Sequence, residues 1–288
     1  METDIQKILE EVALLFNDDG GESFLQTQFK EVQLAIFIEK LEDKDEKYKK
    51  VYSYIKKINR DFKNIGIIIE RIEWLKSIAL EKKEIYVSWH RYVSVDIEHF
   101  HTEIRSIMDY VAQTIGLLLP NGGQLPDSFR KLCEWTNKNS SRIDSSIESI
   151  IKYASSWFMN MRSVRDDIVH YGASTIVFNG PQDGILFQIY NSQLDKKIDN
   201  EKIIMFNENI AFFDKYAALY ISRVLYSIKE LSKALVSIIS SSNVTDIESS
   251  NKSEIGINML NSFTRISDPG FKVIKNWITD LLENFALP

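Results

Sequence analysis

The chain reads YASSWFMNMRSVRDDIVHYG from Tyr153 to Gly172, and this stretch decides the fold of its central part. Apolar residues recur through it at steps of three and four, which is the spacing of one face of an α-helix. The members of this stripe are Ile151, Ala154, Phe158, Met161, Val164, Ile168 and Tyr171. A glycine just past the last periodic residue is typical of a helix end. The sequence therefore predicts an amphipathic helix that Gly172 stops, with His170 in its last turn.

The polar residues in the last turns of this predicted helix include Arg162, Arg165, Asp166 and His170. Residues four apart share a helix face, so Asp166 is expected on one face with both Arg162 and His170. Arg165 precedes His170 by five positions, which is about 140° around the helix axis. One straight helix is therefore not expected to bring these two side chains together. We expect them to converge only if the helix end unwinds or if a second copy of the helix supplies the partner.

A structural role also accounts for these residues. The helix dipole favours a histidine in the last turn, and Arg162 with Asp166 can form an ordinary surface ion pair. Tyr171 falls on the apolar stripe and can belong to the core. The sequence leaves this alternative open.

An arginine, a polar residue directly after it and a histidine at the end of the same helix resemble the Arg-x(4 to 6)-His signature of HEPN domains. Arg165, Asp166 and His170 carry the resemblance in this chain. A predicted hairpin and a long helix follow, as in several HEPN families of bacterial defence and toxin systems. The resemblance covers roughly residues 85–240, and the first 80 residues have no counterpart in it. The family often has asparagine where this chain has Asp166.

The resemblance implies metal-independent cleavage of RNA by a homodimer in which the motifs of two protomers face each other across a cleft. A ribose 2′-hydroxyl would attack the phosphate and leave a cyclic 2′,3′-phosphate. His170 would act as acid or base, and Arg165 would bind the phosphate and offset charge on the transition state. Asp166 would orient the imidazole, while Arg162 and Tyr171 would contact the substrate. Neither a metal nor a cofactor is expected.

The resemblance further implies a toxin or antiphage-defence effector, with an antitoxin or another defence-system protein as a candidate partner. A second hypothesis is a non-catalytic protein that uses the helical bundle to dimerise or to bind a partner. The acidic pI, Asp166 and the extra terminal helices favour this second hypothesis. A third hypothesis, a nucleotide-handling helper of a separate nucleotidyltransferase, rests on analogy with the family alone.

The composition favours a cytoplasmic protein without a membrane segment. Cys133 is the single cysteine among 288 residues, which excludes an internal disulfide and favours a reducing compartment. The first residues lack the basic and apolar regions of a secretory signal, and the apolar runs are too short to span a bilayer. The net charge of −6 argues against a broad nucleic-acid surface but is compatible with a small basic cleft.

Periodicity predicts further elements on both sides of the central helix. Helices are expected at residues 3–16, 23–41, 48–80, 85–119, 127–135 and 210–239, and a β-hairpin is expected from strands at 175–178 and 185–190 with a third strand at 202–206. Gly66, inside one of these helices, allows a bend or a close helix contact. The predicted fold is mainly α, an antiparallel, HEPN-like helical bundle with one small β-hairpin.

These elements divide the chain into four parts. We predict an N-terminal helical region (1–84), a HEPN-like core with its hairpin near 174–190 (85–240), a polar linker (241–267) and a C-terminal amphipathic helix (268–288). Asp268 and Pro269 supply the N-cap and the first-turn proline of the last helix.

The predicted helix at 85–119 contains three of the four histidines, His90, His99 and His101. Asp96, His99 and Glu103 share one flank of it, which is a conceivable wall of a metal or active site. His99 and His101 diverge by about 200° and no His-Glu-x-x-His is present, so ordinary surface or buried hydrogen-bonding roles are favoured over zinc. Because HEPN-type families resemble one another in carrying an acidic residue on a neighbouring helix, Glu103 and Asp109 are candidates for a mutational test.

Overall fold

The chain is mainly helical, as predicted. A computed structural model describes residues 5–16, 46–81, 86–119, 124–139, 142–170, 174–179, 184–190, 194, 204–241 and 269–286. The helices in these ranges are α1 (Ile5–Phe16), α2 (Glu46–Glu81), α3 (Tyr86–Leu118), α4 (Phe129–Lys138), α5 (Ser145–His170), α6 (Phe213–Ser241) and α7 (Pro269–Ala286). The strands are β1 (Thr175–Asn179), β2 (Ile185–Ile189), β3 (Met205–Asn207) and β4 (Ile210–Phe212). The predicted helix at 23–41, the predicted helix stop at Gly172 and the predicted linker at 241–267 lie outside the described residues, except that Ser241 ends α6.

The two longest helices, α2 and α3, pack side by side and run antiparallel. Side-chain contacts along their length include Arg71 with Asp96, Asn64 with Glu103, and Tyr54 with Tyr110. Residue numbers rise along α2 as they fall along α3, so the helices point in opposite directions. This pairing confirms the predicted antiparallel packing for these two helices.

One hydrophobic core connects the described helices and the sheet. Each helix contributes to it, for example through Leu9, Ile69, Phe100, Leu132, Phe158, Tyr216 and Ile278. The predicted apolar stripe of α5 is buried from Ile151 to Ile168, which confirms its orientation towards the core. None of the described helices has a stretch long and apolar enough to cross a bilayer.

Gly66 lies where α7 crosses α2. A Cβ atom on Gly270 would lie 1.9 Å from the backbone oxygen of Gly66, and a Cβ on Gly66 would lie 3.3 Å from Cε2 of Phe271. The two backbones approach this closely because neither glycine carries a side chain. The close helix contact predicted from Gly66 is therefore present.

The β-element is larger than the single hairpin that the sequence predicts. Strands β1 and β2 form that hairpin, and the complete antiparallel sheet has the order β1-β2-β4-β3. Residues 210–212 were predicted to begin the long helix, but they form β4 and pair with β2 through Phe212 and Ala211. A short apolar run fits a strand or a helix equally well, and here the free edge of β2 selects the strand.

A residue of a neighbouring helix caps the N-terminus of helix α4. Asp109 on α3 accepts a hydrogen bond from the backbone N–H of Phe129 at 2.9 Å, while Ser128 makes no capping bond with its side chain. Ser128 occupies the N-cap position, but a carboxylate remote in sequence accepts the hydrogen bond there. The helix also continues to Lys138, three residues beyond its predicted end.

Candidate functional site

The polar residues at the C-terminal end of α5 lie on the outer side of the bundle. Val164 and Ile168 are buried, so the residues around them in the last turns are turned away from the core. The side chain of His170 is 60% exposed, whereas that of Arg165 is only 11% exposed. As predicted, His170 lies in the last turn of the helix. The site thus combines an accessible imidazole with a guanidinium that is largely shielded from solvent.

Asp166 is the centre of this group. Its Oδ2 accepts from Nη2 of Arg162 at 2.7 Å, and its Oδ1 accepts from Nη1 of Arg165 at 3.3 Å. The first contact is the predicted pair of residues four apart. One carboxylate therefore holds two guanidinium groups next to each other at the helix end.

Arg165 and His170 also meet, and the expectation that one straight helix would keep them apart is wrong. Nη1 of Arg165 lies 3.3 Å from Nε2 of His170, and α5 remains helical through His170. The angle around the axis describes only where side chains leave the helix. The long arginine side chain reaches past Asp166 and closes the remaining gap within one protomer.

The contacts of Nε2 on His170 define what this nitrogen can do. The guanidinium can only donate, so Nε2 accepts the bond from Arg165 and the neutral ring carries its proton on Nδ1. Oδ1 of Asp166 lies 3.9 Å from the same Nε2 and would attract it in the protonated state. Nε2 therefore lies beside a hydrogen-bond donor, Arg165, that suits the neutral ring, and beside an acceptor, Asp166, that suits the protonated ring.

Arg165 has one further donor that the fold does not use. Its Nε is buried and has no hydrogen-bond partner among the residues that the structure describes. A buried N–H without a partner costs free energy. Tyr171, the other predicted substrate contact besides Arg162, lies outside the described residues.

The polar flank of α3 does not form a shared site. Asp96 is buried and pairs with Arg71, Glu103 accepts from Asn64 at 3.1 Å, and His99 is exposed. Burial and the nearby carboxylate of Asp61 raise the pKa of Glu103. In the described ranges, no group of three or more histidine, cysteine, aspartate or glutamate residues is placed to hold a metal ion.

His101 has the buried hydrogen-bonding role that the sequence favours. Its side chain is 0% exposed, Nδ1 donates to the carbonyl of Ile97 at 2.7 Å, and Nε2 accepts from the hydroxyl of Tyr216 at 2.8 Å. Burial lowers the pKa of His101 to about 4. The ring is thus held neutral between α3 and α6.

One surface was missed in the sequence, namely the first half of α2. Between Lys47 and Lys63, seven lysine or arginine residues alternate with tyrosines, and the single acidic residue is Asp61. A charge count over a moving window would have revealed it, because the chain as a whole is acidic.

Comparisons with protein-family models, with curated proteins and with solved structures found no match to this chain. The resemblance to HEPN domains therefore rests on the residues at the end of α5, and no family is assigned.

Proposed function

We propose that this protein is a metal-independent endoribonuclease of the HEPN type. The observation that carries the proposal is the 3.3 Å contact between Nη1 of Arg165 and Nε2 of His170 at an exposed helix end. A guanidinium and an imidazole this close can engage the same phosphodiester. Arginine binds phosphate oxygens through its fork of N–H donors, and histidine transfers protons near neutral pH.

In the proposed reaction, a phosphate oxygen replaces part of the contact between Arg165 and Asp166. Nε2 of His170 takes the proton from the ribose 2′-hydroxyl, whose oxygen attacks the phosphorus. The bond to the 5′-oxygen breaks, and the products are a cyclic 2′,3′-phosphate and a free 5′-hydroxyl. Arg165 stabilises the extra negative charge on the phosphoryl oxygens, and Asp166 stabilises the imidazolium that forms.

One histidine cannot serve as both the base and the acid in a single step. A second protomer whose His170 faces the first would supply the proton to the leaving 5′-oxygen. We therefore place the activity in a homodimer and assign it to a toxin or antiphage-defence effector that an antitoxin or similar partner holds inactive.

The test is cleavage of a labelled single-stranded RNA by the purified protein, with and without EDTA. Wild type should cleave in both conditions and leave cyclic phosphate ends, and a 2′-deoxy substrate should remain intact. His170→Ala and Arg165→Ala should not cleave. His99→Ala, an exposed histidine on α3, and Arg130→Ala, which removes the surface pair with Glu134, are the matched controls and should cleave like wild type.

The outcomes separate the mechanism from the site. Activity that disappears only on chelation would overturn the metal-independent mechanism. Cleavage that survives in His170→Ala would overturn the assignment of the site.

A second candidate function is a non-catalytic protein that dimerises or binds a partner through the bundle. The observation that favours it is the position of Asp166, which already accepts from both arginines and so offsets one of the two positive charges that would bind a phosphate. This function is favoured if wild type and both alanine variants all leave RNA intact and if the cells that express them grow equally.

A further inference from the structure

The first half of α2 carries a positive charge that the rest of the chain does not share. The segment from Lys47 to Lys63 has seven basic residues and one acidic residue, which gives it a charge of +6 in a chain of net charge −6. The remaining residues therefore carry −12. The cations are concentrated on one half of one helix, where their fields add.

The lysines of this segment form two parallel rows. Lys49, Lys56 and Lys63 follow one another at intervals of seven residues, and Lys50 and Lys57 form a second row beside them. Seven residues are almost two full helix turns, so each row runs along the helix with a spacing of about 10 Å. Lys49, Lys50, Lys56 and Lys63 are exposed, so the rows face the solvent.

Tyrosine rings, rather than carboxylates, hold several of these lysines. Nζ of Lys56 lies 4.2 Å from the ring centre of Tyr52, and Nζ of Lys57 lies 5.2 Å from the ring centres of both Tyr54 and Tyr110. The last two rings are nearly parallel, at 17° and 6.0 Å between centres. A cation held over a ring is ordered but keeps its full charge.

Elsewhere, several basic side chains are neutralised by ion pairs. Lysines on other helices pair with glutamates, as in Lys152 with Glu148 and Lys229 with Glu11. On α2, Lys49 pairs with Glu46 and Arg60 with Asp61. On the same helix, Lys50, Lys56, Lys57 and Lys63 have no ion pair with any residue in the described part of the chain.

We propose that this lysine and tyrosine face of α2 binds single-stranded RNA. Exposed lysines in rows neutralise successive phosphates, and half-buried tyrosines beside them offer ring faces on which bases stack. The inference rests on the proposed ribonuclease function in naming RNA as the polyanion. It adds an RNA-binding surface on α2, whereas the proposed cleavage site lies on α5.

The packing of α2 argues against a membrane as the ligand. A helix that binds a bilayer surface leaves its apolar side free to insert. Here Val51, Ile55 and Ile65 are buried in the core, and no large apolar side chain between Lys47 and Lys63 is exposed. The face offers charge and aromatic rings, which is the chemistry that single-stranded nucleic acids require.

The test measures binding of a fluorescent oligouridine RNA of about 20 nucleotides to the full-length His170→Ala protein, as anisotropy at increasing salt. In that background, the triple variant Lys50→Gln, Lys56→Gln and Lys63→Gln should bind at least about tenfold more weakly at low salt. The slope of log affinity against log salt should become shallower by about 2, because three phosphate contacts are lost at about 0.7 each. The triple variant Lys131→Gln, Lys138→Gln and Lys272→Gln removes equal charge from exposed sites elsewhere and should bind like its parent.

Equal effects of the two triple variants would overturn the proposal, as would no effect of the first. Poly-L-glutamate that competes as well as RNA would overturn the nucleic-acid assignment, and binding to phosphatidylserine vesicles without binding to RNA would replace it with a membrane. If the wild type cleaves RNA but the α2 variant binds normally, only this surface fails. If the RNA binds on α2 and is never cut, the surface stands and the proposed ribonuclease fails.

Discussion

The end of α5 and the middle of α3 are two polar regions that look alike in sequence and differ in what their contacts do. On α3, three polar side chains bond to other helices: Asp96 and Glu103 bond to α2, and His101 bonds to α6. On α5, Arg162, Arg165, Asp166 and His170 contact one another within a single helix. Polar groups that link helices hold the fold together, whereas a group on one exposed helix end can be rearranged by a ligand.

The two histidines show this difference most clearly. His101 has no exposed surface and a fixed neutral ring, while His170 is 60% exposed and lies beside a cation and an anion. The comparison predicts that changes at α5 alter activity and spare stability, and that changes at α3 do the reverse.

The largest expected effect comes from His170→Asn. We expect RNA cleavage to fall about 100-fold to 10,000-fold, because proton transfer is lost. The free energy of unfolding should change by less than about 0.5 kcal/mol, since the side chain is exposed. Cleavage rates and urea unfolding of the same preparation measure both quantities. A loss of stability that matches the loss of activity would contradict the comparison.

The second effect is the pH dependence of stability that His101 causes. Its pKa is lowered to about 4 in the folded protein, from 6.5, so the unfolded chain binds the proton more readily. The contribution of neutral His101 to the free energy of unfolding is fully present above pH 6.5. It is lost as the pH falls towards 4, by about 3 kcal/mol in total. His101→Gln should be the less stable protein at pH 7, and its difference from wild type should shrink at pH 4.5. Urea unfolding at both pH values would show it, and a constant difference would refute the prediction.

The third effect concerns the carboxylate that holds the two arginines. Asp166→Asn should raise the affinity of the His170→Ala protein for RNA about threefold to tenfold, because Arg162 and Arg165 lose their negative partner. Glu134→Gln is the matched control, since Glu134 pairs with Arg130 four residues away on a surface helix. Anisotropy titrations of both variants provide the measurement. An unchanged affinity in Asp166→Asn would mean that this carboxylate does not compete with the phosphate.

The smallest effect is expected from Glu103→Gln on α3. Burial raises the pKa of Glu103, so wild type loses stability as the pH rises through that raised value. The glutamine keeps the bond from Asn64 without a charge, and should stabilise the protein at pH 7 by well under 1 kcal/mol because the group is partly exposed. The difference should vanish near pH 4, and RNA cleavage should not change. A loss of cleavage in Glu103→Gln would mean that α3 contributes to the cleavage site.

The sequence by itself determined the helices of the bundle, the β1–β2 hairpin and the position of His170. These features follow from the spacing of apolar residues along contiguous chain, which each segment carries independently of the rest. The periodic residues of α5 are the clearest case, because Ile151 and Ile168 are buried as the pattern indicates.

Apart from the Arg162–Asp166 pair, only the tertiary structure decided which polar groups meet. The contact of Arg165 with His170 depends on how a long side chain lies over the helix end, and the cap of α4 depends on Asp109, 20 residues away. Strand β4 forms because β2 offers an edge, and His101 loses its charge because α6 covers it. The last three of these contacts join segments that are distant in sequence, and the first depends on a side-chain conformation, so local periodicity predicts none of them.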